Sequence, residues 1–124
     1  PLFCDIDAQQ FRRVFENIIA NALRHNQEGT ILRFKIAAEG NSIKITISDN
    51  GKGIPPEIAD VIFEPFTVGD ESRNSKQGTG LGLAIAKKIV KSHKGYISLS
   101  KKPEKGMSTE FIIWMKMGET LSET

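Results

Sequence analysis

Residues 32–47 run LRFKIAAEGNSIKITI, from Leu32 to Ile47. Leu32, Phe34 and Ile36 alternate with Arg33 and Lys35; Ile43, Ile45 and Ile47 alternate with Lys44 and Thr46. A period of two belongs to a strand with one face buried and the other in water. Glu39-Gly40-Asn41 lies between the runs, so they read as an antiparallel hairpin with an apolar face and a wet, basic face. Such a hairpin argues against a doubly wound parallel sheet.

Upstream, after an extended start at Leu2–Cys4, Asp7 can cap a helix running to about His25. Its apolar residues Phe11, Val14, Phe15, Ile18, Ile19, Ala22 and Leu23 follow the i, i+3, i+4, i+7 rule. Downstream, Pro55-Pro56 opens a short helix to about Phe63. Residues 67–77, TVGDESRNSKQ, have almost no apolar anchor and read as a mobile polar loop. A second long helix spans about Gly80 to His93, and two strands near 95–100 and 108–115 close the sheet. The expected fold is a two-layer α/β sandwich: a mixed, mostly antiparallel sheet of about five strands with about three helices on one face. Residues 1–117 form one domain, and 118–124 read as a frayed tail.

The composition, with 39% apolar and 26% charged residues, is that of an ordinary globular domain, and a net charge of +2 gives no case for nucleic acid. Cys4 stands alone, which excludes an intramolecular disulfide and a Cys-based metal cage, and His25 and His93 have no partners at metal-ligand spacing. No run reaches the ~20 apolar residues that a membrane span needs. Pro1 stands where an initiator Met would, which reads as a piece of a longer chain.

Two glycine clusters interrupt this ordinary pattern: Asp49-Asn50-Gly51-Lys52-Gly53-Ile54 and Gly78-Thr79-Gly80-Leu81-Gly82-Leu83. Either could be a plain turn. Glycines at a helix start, however, weaken the helix by about 1 kcal/mol each. Backbone N–H groups bared there, at the positive end of the helix dipole, can hold an anion. Neither a Walker A string nor a Rossmann fingerprint is present. On the first helix, Asn17, Asn21, Arg24 and His25 share one stripe bordering the apolar face. Two asparagines one turn apart cost helix propensity without capping anything. A carboxamide oxygen can ligate Mg²⁺, and Arg24 adds a positive charge.

In order and over nearly the whole chain, these strings resemble the boxes of the histidine kinase ATP-binding catalytic domain, within the Bergerat-fold ATPases that include gyrase and MutL. Asn17–His25 resembles the N box, Asp49–Gly53 the G1 box, Phe63-Glu64-Pro65-Phe66 the F box and Gly78–Leu83 the G2 box. Thr109 resembles the threonine of the last nucleotide-binding strand.

The resemblance implies an ATP and Mg²⁺ site. Asp49 would accept a hydrogen bond from the adenine amino group, helped by Thr109. Gly51 and Gly53 would admit the base, with Ile54 in the same turn. Asn21 would coordinate Mg²⁺ with Asn17 beside it, and Arg24 and His25 would face phosphate and ribose. Backbone N–H groups from Gly78 through Thr79, Gly80, Leu81, Gly82 and Leu83 would cradle the phosphates. The 67–77 loop would be a lid, with Arg73 and Lys76 reaching the γ-phosphate and Phe63 and Phe66 anchoring its base.

In the family's hydrolases, a water-activating Glu stands one turn before the Mg²⁺-binding Asn. Asn17 occupies that place here, and Glu16 is rotated about 100° off the stripe. The resemblance therefore implies phosphoryl transfer to a histidine on a separate helical dimerisation and phosphoacceptor domain, with a response regulator downstream. His25 and His93 are poor acceptor candidates, so the fragment alone would bind ATP without phosphorylating itself. Alternatives are a nucleotide-sensing scaffold, a serine kinase of the anti-sigma-factor type and, last, a gyrase-type ATPase. The fragment would be a monomer, and its parent a homodimeric, membrane-anchored sensor with this portion in the cytoplasm. Departures from the pattern are Lys94 where a second Gly is common after His93, Ser108 for a frequent Gly, Val68 for a common Arg, and a single Gly78.

Overall fold

A computed structural model describes residues 3–66 and 80–118. The elements are α1 (Ala8–His25), β1 (Leu32–Glu39), β2 (Ser42–Asp49), α2 (Pro56–Ala59), α3 (Gly82–Ser92), β3 (Tyr96–Leu99) and β4 (Thr109–Lys116). The sheet order is β1-β2-β4-β3, and all three pairings are antiparallel.

The sandwich stands, with two adjustments to the expected sheet. Among the described residues there are four strands rather than about five, and none is parallel. No strand precedes α1 among the described residues, and the Phe3 carbonyl accepts a hydrogen bond from the N–H of Gly118. Gly118 is thereby tied down, and residues 119–124 lie outside the described residues.

Helix α1 starts where Asp7 caps it, Oδ1 accepting from the Gln10 N–H at 3.1 Å. Phe11, Val14 and Ile18 are buried, whereas Leu23 is exposed. The apolar stripe turns out of the core at the last turn of α1. Helix α3 buries Leu83, Ala86, Ile89 and Val90. Both long helices share one core cluster with Ile43, Ile45 and Ile47 of β2, Ile97 of β3, and Phe111, Ile113 and Met115 of β4. Full burial of a side chain such as Ile113 contributes roughly 1.5–3 kcal/mol.

The hairpin departs from the expected one-face burial. On β1, Phe34 is 48% and Ile36 65% exposed, because this edge strand lies beyond the helices. On β2 both faces are covered: Thr46 and Ser48, on the side expected to be wet, are buried. The 100–108 connection crosses that side. Glu104 pairs with Arg33 at 2.9 Å and Lys35 at 2.6 Å, and its N–H donates to Oε1 of the buried Glu110 at 3.1 Å. The Ser48 hydroxyl donates to the same oxygen at 3.4 Å.

Candidate nucleotide site

The sheet end bearing Asp49 and the start of α3 frame the candidate site. Asp49 ends β2 and pairs in register with Thr109, the first residue of β4, and both are 5% exposed. Chain reversal after Asp49 is built from its own side chain, whose Oδ1 accepts the Gly51 N–H at 2.9 Å. Gly53 has φ +80, a left-handed conformation, and a Cβ there would lie 3.4 Å from the Ser108 carbonyl oxygen. The Ser108 N–H donates to the Asp49 carbonyl at 2.8 Å, and its hydroxyl donates to the Gly51 carbonyl. Ser108 thus uses its side chain to hold the turn, which a glycine there could not do.

Asn17 and Asn21 lie on the α1 face that meets α3. Asn21 is only 9% exposed, while Asn17 is half-buried. A Cβ on Gly82 would sit 3.4 Å from Asn17 Oδ1, so the two helices approach closely where Gly82 begins α3. Among the described residues, no side chain caps α3 and its first turn holds no acidic residue. Leu83 points into the core, and Gly80 has φ +78. Arg24 is exposed. Glu16 is exposed as well and pairs with Arg12 at 3.2 Å, as its rotation off the stripe implies.

The Phe63–Phe66 stretch links this site to the core. Phe63 packs edge-on against Phe111, with ring centroids 6.0 Å apart, and Ile54 is half-buried against the same cluster. Phe66 is 71% exposed at φ 65, and its N–H donates to the Gly80 carbonyl at 2.7 Å. That bond joins the two described residues on either side of positions 67–79. Arg73, Lys76, Gly78 and Thr79 lie outside the described residues, as does the side chain of His25.

Sequence reasoning passed over Asn26. Its Oδ1 accepts the Lys52 N–H at 3.0 Å, and a cavity of about 480 Å³ opens beside it between the 26–30 loop and residues 50–52. A polar residue directly after the last helical turn was the only signal.

The antiparallel sheet backs two long helices, one carrying Asn17 and Asn21 and the other starting at Gly82. The chain belongs to the histidine kinase-, DNA gyrase B- and HSP90-like ATPase family, matching it over residues 6–119. Its relatives within that family are sensor histidine kinases. It is 38% identical over 101 residues to sensor histidine kinase YvrG of Bacillus subtilis, a match covering 82% of this chain and 17% of that protein. It is also 38% identical over 104 residues to the probable sensor histidine kinase TcrY of Mycobacterium tuberculosis, covering 83% and 22%. The chain thus spans about a fifth of these relatives' length. The mycobacterial sensor histidine kinase MprB superposes with a TM-score of 0.77 at 27% identity, over 90% of this chain and 74% of that one. The catalytic domain of histidine kinase ThkA gives 0.74 at 25% identity, over 91% and 70%. Among the described residues, no helix is long and apolar enough to cross a membrane.

Proposed function

We propose that this chain binds Mg-ATP and donates the γ-phosphoryl group to a histidine on a separate helical phosphoacceptor domain of its parent protein. The observation carrying this reading is the approach of Asn17 on α1 to Gly82, the first residue of α3. It sets a carboxamide stripe against a helix N-terminus, the two halves of a phosphate and metal site. The hard oxygen of Asn21 suits Mg²⁺, which when bound would offset phosphate charge.

The chain's own groups position the nucleotide. Asp49 receives the base, and the N–H groups at the start of α3 hold phosphate oxygens. Arg24, Arg73 and Lys76 add positive charge. The acceptor imidazole nitrogen forms the new N–P bond as the γ-phosphorus leaves the bridging oxygen. ADP departs with that electron pair, and the other ring nitrogen can release its proton. Positioning and charge stabilisation do most of such a reaction. Asn17 cannot act as a base, which preserves ATP from water until the imidazole arrives. In this reading the parent is a homodimeric, membrane-anchored sensor that passes the phosphoryl group to a response regulator, and this portion lies in the cytoplasm.

The test mixes this chain, Mg-ATP labelled at the γ position and the parent's helical hairpin. Acid-labile phosphate on the hairpin is expected. Acid-stable phosphate would place the transfer on a hydroxyl, and no transfer at all would sink the proposal.

A further inference from the structure

We infer that Asn26 is a positioning residue for nucleotide recognition, locking the adenine-side turn to the helix that carries Asn21; this rests on the ATP reading above. Helix α1 ends at Asn26 in an extended conformation, φ −125 and ψ 158, rather than in the left-handed turn of a glycine-type stop. The extended exit aims the carboxamide across at residues 51 and 52. Its oxygen accepts the Lys52 N–H at 3.0 Å, and the group fills the space beside Gly51. A Cβ on Gly51 would lie 1.9 Å from that oxygen, so the glycine makes room for Asn26.

The same turn is fixed from two further sides. The Ile31 N–H donates to Asn50 Oδ1 at 2.8 Å, while the Asn50 N–H donates to the Ile31 carbonyl at 3.2 Å. Ser108 holds the carbonyls of Asp49 and Gly51 from the β4 side. Of these anchors, Asn26 alone stands at the end of α1, as its C-cap residue. It therefore sets the spacing between Asn21, five residues earlier on the same helix, and the Asp49 carboxylate, which is fixed by its bond from Gly51. A base and a phosphate chain joined through one ribose demand that spacing. A nucleotide binds well only if both ends fit together.

The test compares Asn26→Leu, which keeps the branched shape and removes the acceptor, with Asn26→Asp, which keeps the acceptor. ATP and GTP affinities are measured by titration on the whole chain, and Lys52 amide exchange by NMR. Asn26→Leu should weaken ATP binding about five- to tenfold and lower the ATP-over-GTP preference, with faster Lys52 exchange, the size expected for one lost hydrogen bond. Asn26→Asp should keep both the preference and the protection. Unchanged ATP preference in Asn26→Leu would overturn the inference, as would an Asn26→Asp variant that loses as much as Asn26→Leu. Should Asn26→Leu not fold, Asn26→Ala takes its place as the variant without the acceptor, with the same outcomes. Failure of the wild-type chain to bind ATP would instead remove the nucleotide reading itself.

Discussion

The backbone N–H of Asp7 donates to Nε2 of His93 at 3.0 Å, tying the first turn of α1 to the last turn of α3. Since Nε2 accepts, the ring proton belongs on Nδ1, which lies 2.8 Å from the Ile89 carbonyl oxygen. The ring also meets Phe11 edge-on, with centroids 4.9 Å apart. The ring is thus a two-ended hydrogen-bond bridge from the α1 cap to the last turn of α3.

His93→Phe keeps an aromatic ring against Phe11 but removes both polar contacts. Urea unfolding should show stability lowered by about 1–2 kcal/mol with the denaturant slope unchanged. ATP affinity should hardly move, because the bridge lies at the opposite end of α3 from Gly82.

Lys94 occupies a left-handed conformation, φ 63, immediately after α3. The Gly95 N–H donates to the Val90 carbonyl and the Lys94 N–H to the Lys91 carbonyl, both at 2.9 Å, the pairing that closes many helices. A side chain in this region costs about 1–2 kcal/mol, partly offset by the extra unfolded-state freedom of glycine. Lys94→Gly should therefore stabilise the domain by about 0.5–1 kcal/mol, read as a higher thermal midpoint. An Ala at Gly95 should do the reverse, since its Cβ would lie 2.8 Å from the Trp114 carbonyl oxygen.

The hydrogen bond from Lys35, followed by the charges of Lys35 and Arg33, holds the Glu104 carboxyl below its usual range despite some desolvation. Because the folded value is depressed, its stabilising effect is complete above the ordinary carboxylate range and fades as pH falls through the folded value. Wild type should be more stable than Glu104→Gln at neutral pH. Chemical unfolding should show that gap closing in acid, and shrinking in high salt because the pair is exposed.

Asp49→Asn keeps the side chain's shape and removes its charge. In the proposed site it should weaken ATP binding about tenfold to a hundredfold, the range for a hydrogen bond to a charged group. Titration calorimetry reads the affinity, and a retained thermal midpoint would separate recognition from folding.

The fold was legible in sequence wherever local pattern and burial agree. Asp7 marks the start of α1, and the alternation of Ile43, Ile45 and Ile47 marks β2 and its buried face. Phe34 and Ile36 carry the same alternation yet stay exposed, because coverage depends on where the helices lie and not on the strand itself. Conversely, Thr46 and Ser48 are buried by a connection more than fifty residues later in the chain. At the candidate site, the pairing of Asp49 with Thr109 and the approach of Asn17 to Gly82 join strings that sequence could only set in order. The parts played by Asn26 and Ser108 were hidden, since side-chain bonds to a distant turn leave no period and no motif.

The central strand pair has a consequence for biosynthesis. Strand β2 is complete by residue 49, but its inner neighbour β4 begins only at residue 109. A chain emerging from the ribosome must carry β2 with one open edge until nearly the whole domain has been translated. Asp49 gains Thr109 as its neighbour only then. Adenine-dependent protection should accordingly be absent from nascent chains arrested before β4 and arise in one late step, so that nucleotide capture reports completion of the domain.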